Sequence, residues 1–576
     1  MKVYRILILL SISLCFISVY AQNKGYPKNY FVSPLDIPIF LSGNFGELRS
    51  NHFHSGIDIK TQGVEGYKVY SVAEGYISRI KVSPWGYGNV LYVTHSNGFT
   101  SVYAHLQKFN AKITAYVKKA QYLNETWEIE LFPKDSILWV AKGECIAFSG
   151  NTGSSAAPHL HFEIRETASE QAINPLHFGF DVKDNVPPVI SKVAVYPLNE
   201  ESFVNGKNAK MILDVVYTNG MYLLKSSAPI QVYGNIGIGI STYDRANEAS
   251  NQNGTYYVEV TANNTTTYSH SLDKISFDET RAINSHIDYK YYTDKGQHIQ
   301  QCFIEECNPL NIYTHYNEKG VINAKTSATY KIKCIAKDLN GNTSSLTFEL
   351  AGNPEYKGKI EEKIAAKPSR YLKCNEPHTF MQDEILVSFP ANALYNDLKF
   401  EYNKIDKVWG SVGAAYAIHN DYTPLHTPIN ISIKNITLSP SLKEKATIIR
   451  MDSKEKWQAI GGTWHGDYIA ASSKYFGTFF IRLDTVPPII EPINIVSGKN
   501  MAKASSIQLT VKDNLSGLKS YKGYLNGKWI LMEYQPKTGK VIYYFDEKTV
   551  QGKNFFTLEV EDATGNCAIY QAWFYK

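Results

Sequence analysis

The sequence predicts an all-β protein of several domains, and three observations carry that reading. Tyr is unusually common, with 41 copies beside 38 Gly and 23 Pro, a balance that favours strands and turns over helices. Short alternating apolar and polar runs recur, among them "IQLTVKD" (507–513) and "FFTLEVED" (555–562). The chain also repeats its own punctuation. "DNVPPVI" (184–190) and "DTVPPII" (484–490) share Asp-x-Val-Pro-Pro-x-Ile, and paired prolines make the extended, donor-free linker that a domain boundary needs.

At 576 residues the chain is too long for one core and should divide into roughly three to five domains. With 44% hydrophobic and 20% charged residues it is globular, and a net charge of +5 gives no case for a nucleic-acid partner. At the N-terminus, "MKVYR" is a short basic region, "ILILLSISLCFISVY" (6–20) an apolar run, and "VYA" (19–21) offers small residues for cleavage. Residues 1–21 therefore read as a signal peptide, with an uncleaved anchor as the alternative, and no stable membrane insertion is expected after cleavage. Losing Lys2 and Arg5 takes the charge from +5 to +3. Cys15 lacks the small residues of a lipoprotein box before it. The other six cysteines permit disulfides in an exported protein, but in any of 15 connectivities. No Cys-x-x-Cys pair is present, so a metal would be held by His and carboxylate.

The first folded segment, 22–183, is β-rich. "NVLYVTHSNGFTSVYAHL" (89–106) is two alternating strands around Asn97-Gly98, a strong hairpin signal. "VYSVAEGYISRIKV" (69–82) adds further strand, and no amphipathic helix of useful length is expected. Segments 184–352 and 484–576 read as immunoglobulin-like β-sandwiches. Each follows a Pro-Pro linker, and each ends on an Asp-x-x-Gly-Asn turn before a last strand, "AKDLNGNTSSLTF" (336–348) and "VEDATGNCAIYQAWF" (560–574). Their aspartates lack the dense spacing of a calcium loop and are read as turn formers. Segment 353–483, with "EILVSFP" (384–390) and "FGTFFIRL" (476–483), reads as another β-domain.

Chemistry concentrates in 22–183. "NHFHSGIDIK" (51–60) holds His54-x-x-x-Asp58, with Gly56 discouraging helix, and "SSAAPHLHFEI" (154–164) holds His159-x-His161 before an apolar strand. Residues two apart in a strand share a face, so both imidazoles can meet one object. His, Asp and His plus a water is the composition of a catalytic zinc site, whose open position acidifies the water. Free imidazoles near the metal suit the proton work, and His159 and His105 in "VYAHL" (102–106) offer two.

"FHSGID", "YAHL" and "PHLHFEI", in that order, closely resemble the lysostaphin-type (LytM-type) zinc endopeptidases that cut peptidoglycan peptides. The framing "SGNFGELRSNHFHSGIDIK", "GYGNVLYVTHSNG", "KGECIAFSGNTGSS" and "INPLHF" fits as well, and the resemblance covers about residues 35–178. It implies Zn2+ held by His54, Asp58 and His161, with His105 and His159 as catalytic histidines. It also implies a compact β-sheet peptidase domain of lysostaphin-like hybrid β fold, followed by two or three β-sandwich domains. Some relatives place a Tyr just before the first ligand, where this chain has Leu48. Arg49 could aim a cation at the oxyanion instead, although a surface salt bridge is the better expectation. His52 and His95 are assigned to structure or solvent; Tyr103 shares the face of His105 and is assigned to core packing, with packing beside the site as the alternative. The chain is also longer than the family norm between His105 and His159. "EIELF" (128–132) suggests that the insertion at 115–139 is a β-hairpin with one packed face, either bordering the groove or standing as a surface ornament facing away from it.

The function expected from these features is an exported metalloendopeptidase hydrolysing peptidoglycan cross-links in the periplasm, in the cell envelope or after secretion. The alternative is a catalytically weak or inactive member of the fold that binds the wall and activates another hydrolase. A third reading is an adhesin or scaffold. The substrate partner is the peptidoglycan peptide, and the β-sandwiches are candidates for binding a cell-envelope protein.

Overall fold

The computed structural model describes residues 25–247, 250–357 and 370–576; the signal-peptide reading of 1–21 lies outside them. Among the described residues no helix is long and apolar enough to cross a membrane. The chain is all-β in character, with two-layer β units following the first sheet domain.

In the first domain one antiparallel sheet runs, from its edge, through Leu41–Gly43, Ile57–Lys60, His159–Glu166, Phe99–Ala104, Val90–Thr94, Gly75–Val82 and Ile129–Leu131. Strand alternation divides the His159–Glu166 strand cleanly. Leu160, Phe162 and Ile164 enter the hydrophobic core with Ile57, Ile59, Leu91, Val93 and Tyr103. His159, His161, Glu163 and Arg165 alternate with them and so project from the other face. A small sheet of Lys68–Tyr70, Cys145–Phe148 and Lys108–Phe109 closes the domain.

The inserted segment corrects the sequence expectation twice. Instead of a hairpin it opens with a 14-residue helix, Ala111–Asn124, in a domain where no such helix was expected. Asn110 caps it by accepting from the Ile113 amide, and Ile113, Val117 and Gln121 bury the i, i+4, i+8 stripe. Its strands "IEL" (129–131) and Trp139–Val140 do not pair with each other; both pair with Gly75–Val82 at the sheet edge remote from the histidine strand. The helix's outer side meets the C-terminal unit: Lys118 pairs with Glu547 at 2.9 Å, Tyr122 donates to Asp546, and its ring stands edge-on to Trp529.

Beyond residue 184 a 12-stranded sheet system encloses a core of Val193, Val195, Ile236, Ile238, Val260, Ile332, Leu346 and their neighbours. Its long strand Ile230–Tyr243 pairs antiparallel with Val189–Pro197 and parallel with Thr343–Gly352. Residues 272–312 leave this sheet apart from Gln300–Gln301, which pairs back with Ile230–Tyr243. Lys274–Ile275 pairs with Ala172–Ile173 of the first domain, and Leu272, Ile283 and Ile287 join Phe45, Phe53 and Tyr395 in a shared apolar cluster. Phe53, which precedes His54, is thus buried between units.

Two five-stranded sheets between residues 378 and 483 face each other across Val387, Phe400, Ile431, Ile448 and Phe479. Four- and five-stranded sheets do the same around Leu509, Val541, Leu558 and Phe574. The disulfide question left open by the sequence resolves to one bond, Cys307–Cys374, across the second and third units. Cys145, Cys302, Cys334 and Cys567 are free thiols.

Candidate metal centre

Register assembles the centre. Asp58 lies directly opposite His161 in the antiparallel pair of Ile57–Lys60 with His159–Glu166, so both side chains leave the same face. On the other side His161 is opposite Ala104, which sets His105 beside it at the end of Phe99–Ala104. Gly56 lets the His54 turn press against this strand, since a Cβ there would run into the Phe162 carbonyl.

Three atoms converge. His54 Nε2 is 3.0 Å from Asp58 Oδ1 and 3.0 Å from His161 Nδ1, and His161 Nδ1 is 2.9 Å from Asp58 Oδ1. All three residues are buried, with at most 5% of their surface exposed. The remote nitrogen of each ring has a partner that settles its proton. His54 Nδ1 donates to the Asn44 carbonyl at 2.7 Å, and His161 Nε2 donates to Glu163 Oε1 at 2.8 Å. In the neutral rings the converging nitrogens are then bare lone pairs. Two imidazole lone pairs and a carboxylate oxygen with no proton between them are a cation's donor set, and two His with one carboxylate suit zinc with a position left open.

The electrostatics agree with that demand for positive charge. Burial opposes charging His161, yet hydrogen bonds to Asp58 and Glu163 outweigh it and push the ring up to about 9. Burial takes His54 down to about 4, and burial followed by the neighbouring His161 and His159 takes His105 down to about 3. Glu163 is held well below the usual carboxylate range: burial works the other way, but Arg165 and His161 overcome it.

His105 and His159 flank the trio, their ring centroids 4.9 Å apart. His105 Nδ1 donates to the Thr152 carbonyl at 2.8 Å and His159 Nδ1 to the Ala157 carbonyl at 2.8 Å, which leaves both Nε2 atoms as acceptors. His159 Nε2 lies 3.4 Å from Asp58 Oδ1. His105 has φ of 58°, a left-handed backbone uncommon outside glycine and a conformation that recurs at functional sites. Its amide donates to the Tyr87 carbonyl, in a loop where Gly88 lets the chain pass against Thr152.

Other residues fall in different places. His52 is exposed at the strand pair before the centre, and its Nδ1 donates to the Ser50 carbonyl. His95 is buried away from the trio, between the Glu74 carbonyl and Ser101 Oγ. Tyr103 is fully buried on the core face, its hydroxyl accepting from the Val72 amide. Arg49 forms the expected salt bridge, but with a buried partner as well as Glu47: Nη2 sits 2.5 Å from Asp58 Oδ2 and Nε 3.4 Å from Glu47, in space that Gly43 leaves open. Leu48 and Arg49 pair with His52 and Phe53 as a short strand.

Sequence reasoning missed the support beneath His161. Glu163 is fully buried and gathers His161, Ser55 Oγ at 2.6 Å, the Tyr87 hydroxyl at 2.5 Å and Arg165 Nε at 2.6 Å. The signal was present: His161, Glu163 and Arg165 stand two apart in one strand.

Residues 52–128 match the family model described as Peptidase family M23, and residues 369–484 match a Zu5-like domain. The chain is 33% identical over 160 residues to the DD-carboxypeptidase/endopeptidase Mpg of Neisseria meningitidis serogroup B, covering 27% of this chain and 30% of that protein. It is 28% identical over 158 residues to lysostaphin of Staphylococcus staphylolyticus, covering 27% of this chain and 26% of that one. Among solved structures, the catalytic domain of lysostaphin from Staphylococcus simulans aligns at 26% identity and a TM-score of 0.18, over 23% of this chain and 87% of that one. The chain thus spans about 30% of the length of the Mpg protein it matches. Within its first domain, the chain is similar to peptidase family M23 over residues 52–128.

Proposed function

We propose that this chain is an exported zinc metalloendopeptidase that hydrolyses peptide cross-links of peptidoglycan. The observation that carries the reading is the convergence of three donor atoms, from His54, Asp58 and His161, beside two imidazoles tethered through Nδ1. Zinc at the trio would polarise the scissile carbonyl and acidify a water. The chain's own part lies with His105 and His159. Each presents a bare Nε2, so each can accept the proton of an attacking water and, once charged, stabilise negative charge developing on the carbonyl oxygen. Arg49 neutralises the second oxygen of Asp58 and fixes its orientation.

The name of one relative, the peptidoglycan DD-endopeptidase ShyB of Vibrio cholerae serotype O1, supports peptidoglycan as the substrate class. Division into a peptidase domain (22–183), immunoglobulin-like units at 184–352 and 484–576 and a β-domain at 353–483 belongs to the same reading. In it the later units hold the enzyme at the wall or to an envelope protein. Purified full-length protein, loaded with one equivalent of zinc, should release new muropeptides from isolated peptidoglycan, as read by mass spectrometry. Bound zinc with no released product would instead favour a binding regulator. Export predicts that the mature chain begins at or within a few residues of Gln22.

A further inference from the structure

The second unit brings together three aspartates that are far apart in sequence. Asp184 stands in the Pro-Pro linker, Asp244 just after the Ile230–Tyr243 strand and Asp338 in the last turn, and carboxylate oxygens of the three lie within 4.8 Å of one another. Asp244 and Asp338 are buried, 4% and 5% exposed. None of the ion pairs among the described residues involves any of the three. Asp338 has partners in Asn342, whose amide and side chain donate to its two oxygens at 2.8 and 2.5 Å. Asp244 Oδ1 has none.

A second, separate group points into the same space. Asn253 exchanges both backbone hydrogen bonds with Asp244, at 2.9 Å each, so the two side chains leave on the same side. Asn253 is 5% exposed, and its Oδ1 also lacks a hydrogen-bond partner. It lines a cavity of about 40 Å³ with Asp184, Asp244 and Asp338. Two orphaned oxygens facing an uncompensated carboxylate cluster are costly unless a cation is their partner.

We infer that Asp184, Asp244, Asp338 and Asn253 form a calcium site at the junction of the first and second units. The donors are all oxygen, which selects a hard cation. The three carboxylates lie close enough to share one ion, and the irregular oxygen set suits calcium's tolerance better than magnesium's octahedron. The C-terminal unit repeats the arrangement with Asp484, Asp513 and Asp562. There Asn566 Nδ2 donates to the Asp484 carbonyl and to Asp562 Oδ2, as Asn342 Nδ2 does to the Asp184 carbonyl and Asp338 Oδ2. The junction ion would also steady the peptidase centre. Gly254, next to Asn253, exchanges two hydrogen bonds with the Asn44 side chain at 2.7 and 2.8 Å, and the Asn44 carbonyl holds His54 Nδ1.

The test is calorimetric titration of CaCl2 into the zinc-loaded full chain after chelator treatment, together with a count of bound calcium. The expected affinity is in the range of about 10⁻⁴–10⁻³ M found for extracellular modules, with a rise in melting temperature. The double variant Asp244→Asn/Asp338→Asn should bind one calcium fewer per chain. Absence of binding by the unaltered chain up to about 10 mM calcium, or unchanged stoichiometry in a folded double variant, overturns the site. If the double variant does not fold, Asn253→Ala decides: calcium affinity weakened about fivefold or more supports the site, and unchanged affinity overturns it.

Discussion

Glu163 accepts the Nε2 proton of His161 at 2.8 Å and thereby turns Nδ1, not Nε2, toward His54 and Asp58. The same carboxylate is held by Arg165, Tyr87 and Ser55, so its position is over-determined. Glu163→Gln keeps an acceptor but removes the charge that makes the imidazole a better donor to a metal. Zinc affinity should fall about 10–100-fold, measured by competition with a chromogenic chelator. A modest drop in melting temperature should accompany it, because Arg165 loses its buried partner. Unchanged zinc affinity would reduce Glu163 to a counter-charge for Arg165.

The five convergent side chains should separate into two groups. His161→Ala and Asp58→Ala remove donors and should lose both zinc and hydrolysis. His105→Ala and His159→Ala should keep most of the zinc, because each ring is tethered to a backbone carbonyl outside the trio, yet lose about 10²–10⁴-fold in turnover. Zinc content by mass spectrometry and the rate of muropeptide release read the two effects apart. Equal zinc loss in all four variants would show that this division of labour is wrong.

How much of this was legible in the sequence depends on the range of the interaction. The His54, Asp58, His105, His159 and His161 set could be named because its short motifs occur in the order of a family they resemble, while strand spacing by itself puts only His159 and His161 on one face. Arg49 could not be placed, since its contact with Asp58 depends on a turn and on the gap at Gly43. The Ala111–Asn124 helix was misread for a local reason. Its β-branched and aromatic residues resemble strand, while the Asn110 cap and the Ile113/Val117 spacing, both visible, specify helix. The docking of 272–312 onto the first domain was beyond reach, because nothing local distinguishes an apolar segment that buries itself in its own unit from one that buries itself in a neighbour.

The Cys307–Cys374 bond joins the second and third units across 67 residues of chain. Closing a loop of that length restricts the unfolded state and stabilises the fold by about 2–4 kcal/mol. Cys374→Ser should therefore lower the denaturation midpoint of the oxidised protein, and a reducing agent should lower the parent's midpoint while leaving the variant's unchanged. Equal response of both proteins to reductant would mean that the bond carries no stability.

Beside that bond, Glu305 accepts from Ser285 at 2.6 Å and from Asn396 at 2.7 Å, and burial pushes its carboxyl up to about 7. The folded state thus holds a proton that the unfolded chain releases near pH 4.5. The stabilisation from this group is complete below about 4.5 and is lost as pH rises through about 7. A loss of roughly 1–2 kcal/mol is expected across that range. Glu305→Gln should flatten this part of the stability profile between pH 5 and 8 in urea titrations, gaining most at the alkaline end. A variant curve parallel to the parent's would remove Glu305 as the cause.

The helix that replaced the expected hairpin ties the C-terminal sandwich to the peptidase domain, and the contact reaches the centre. Lys118 and Tyr122 hold Asp546 and Glu547, while Lys537 of the same sandwich donates to the Asn151 carbonyl at 2.8 Å. Asn151 adjoins Thr152, whose carbonyl orients His105. Between the two units runs an open groove of about 580 Å³ lined by Trp85, Glu128, Tyr534 and Lys537, with Trp85 60% exposed. An exposed aromatic and a lysine beside the His105 loop suit an extended, acidic peptide stem. If the docked sandwich forms one wall of the substrate path, Lys118→Ala/Tyr122→Ala should detach it without touching any zinc donor. Zinc content should stay at one equivalent, while the set of muropeptides released from the same peptidoglycan should broaden or shift. Replacing 118–138 with a short Gly-Ser turn should do the same more strongly. An unchanged product profile and rate in both variants would mean that the docking serves stability alone and that specificity resides in the first domain.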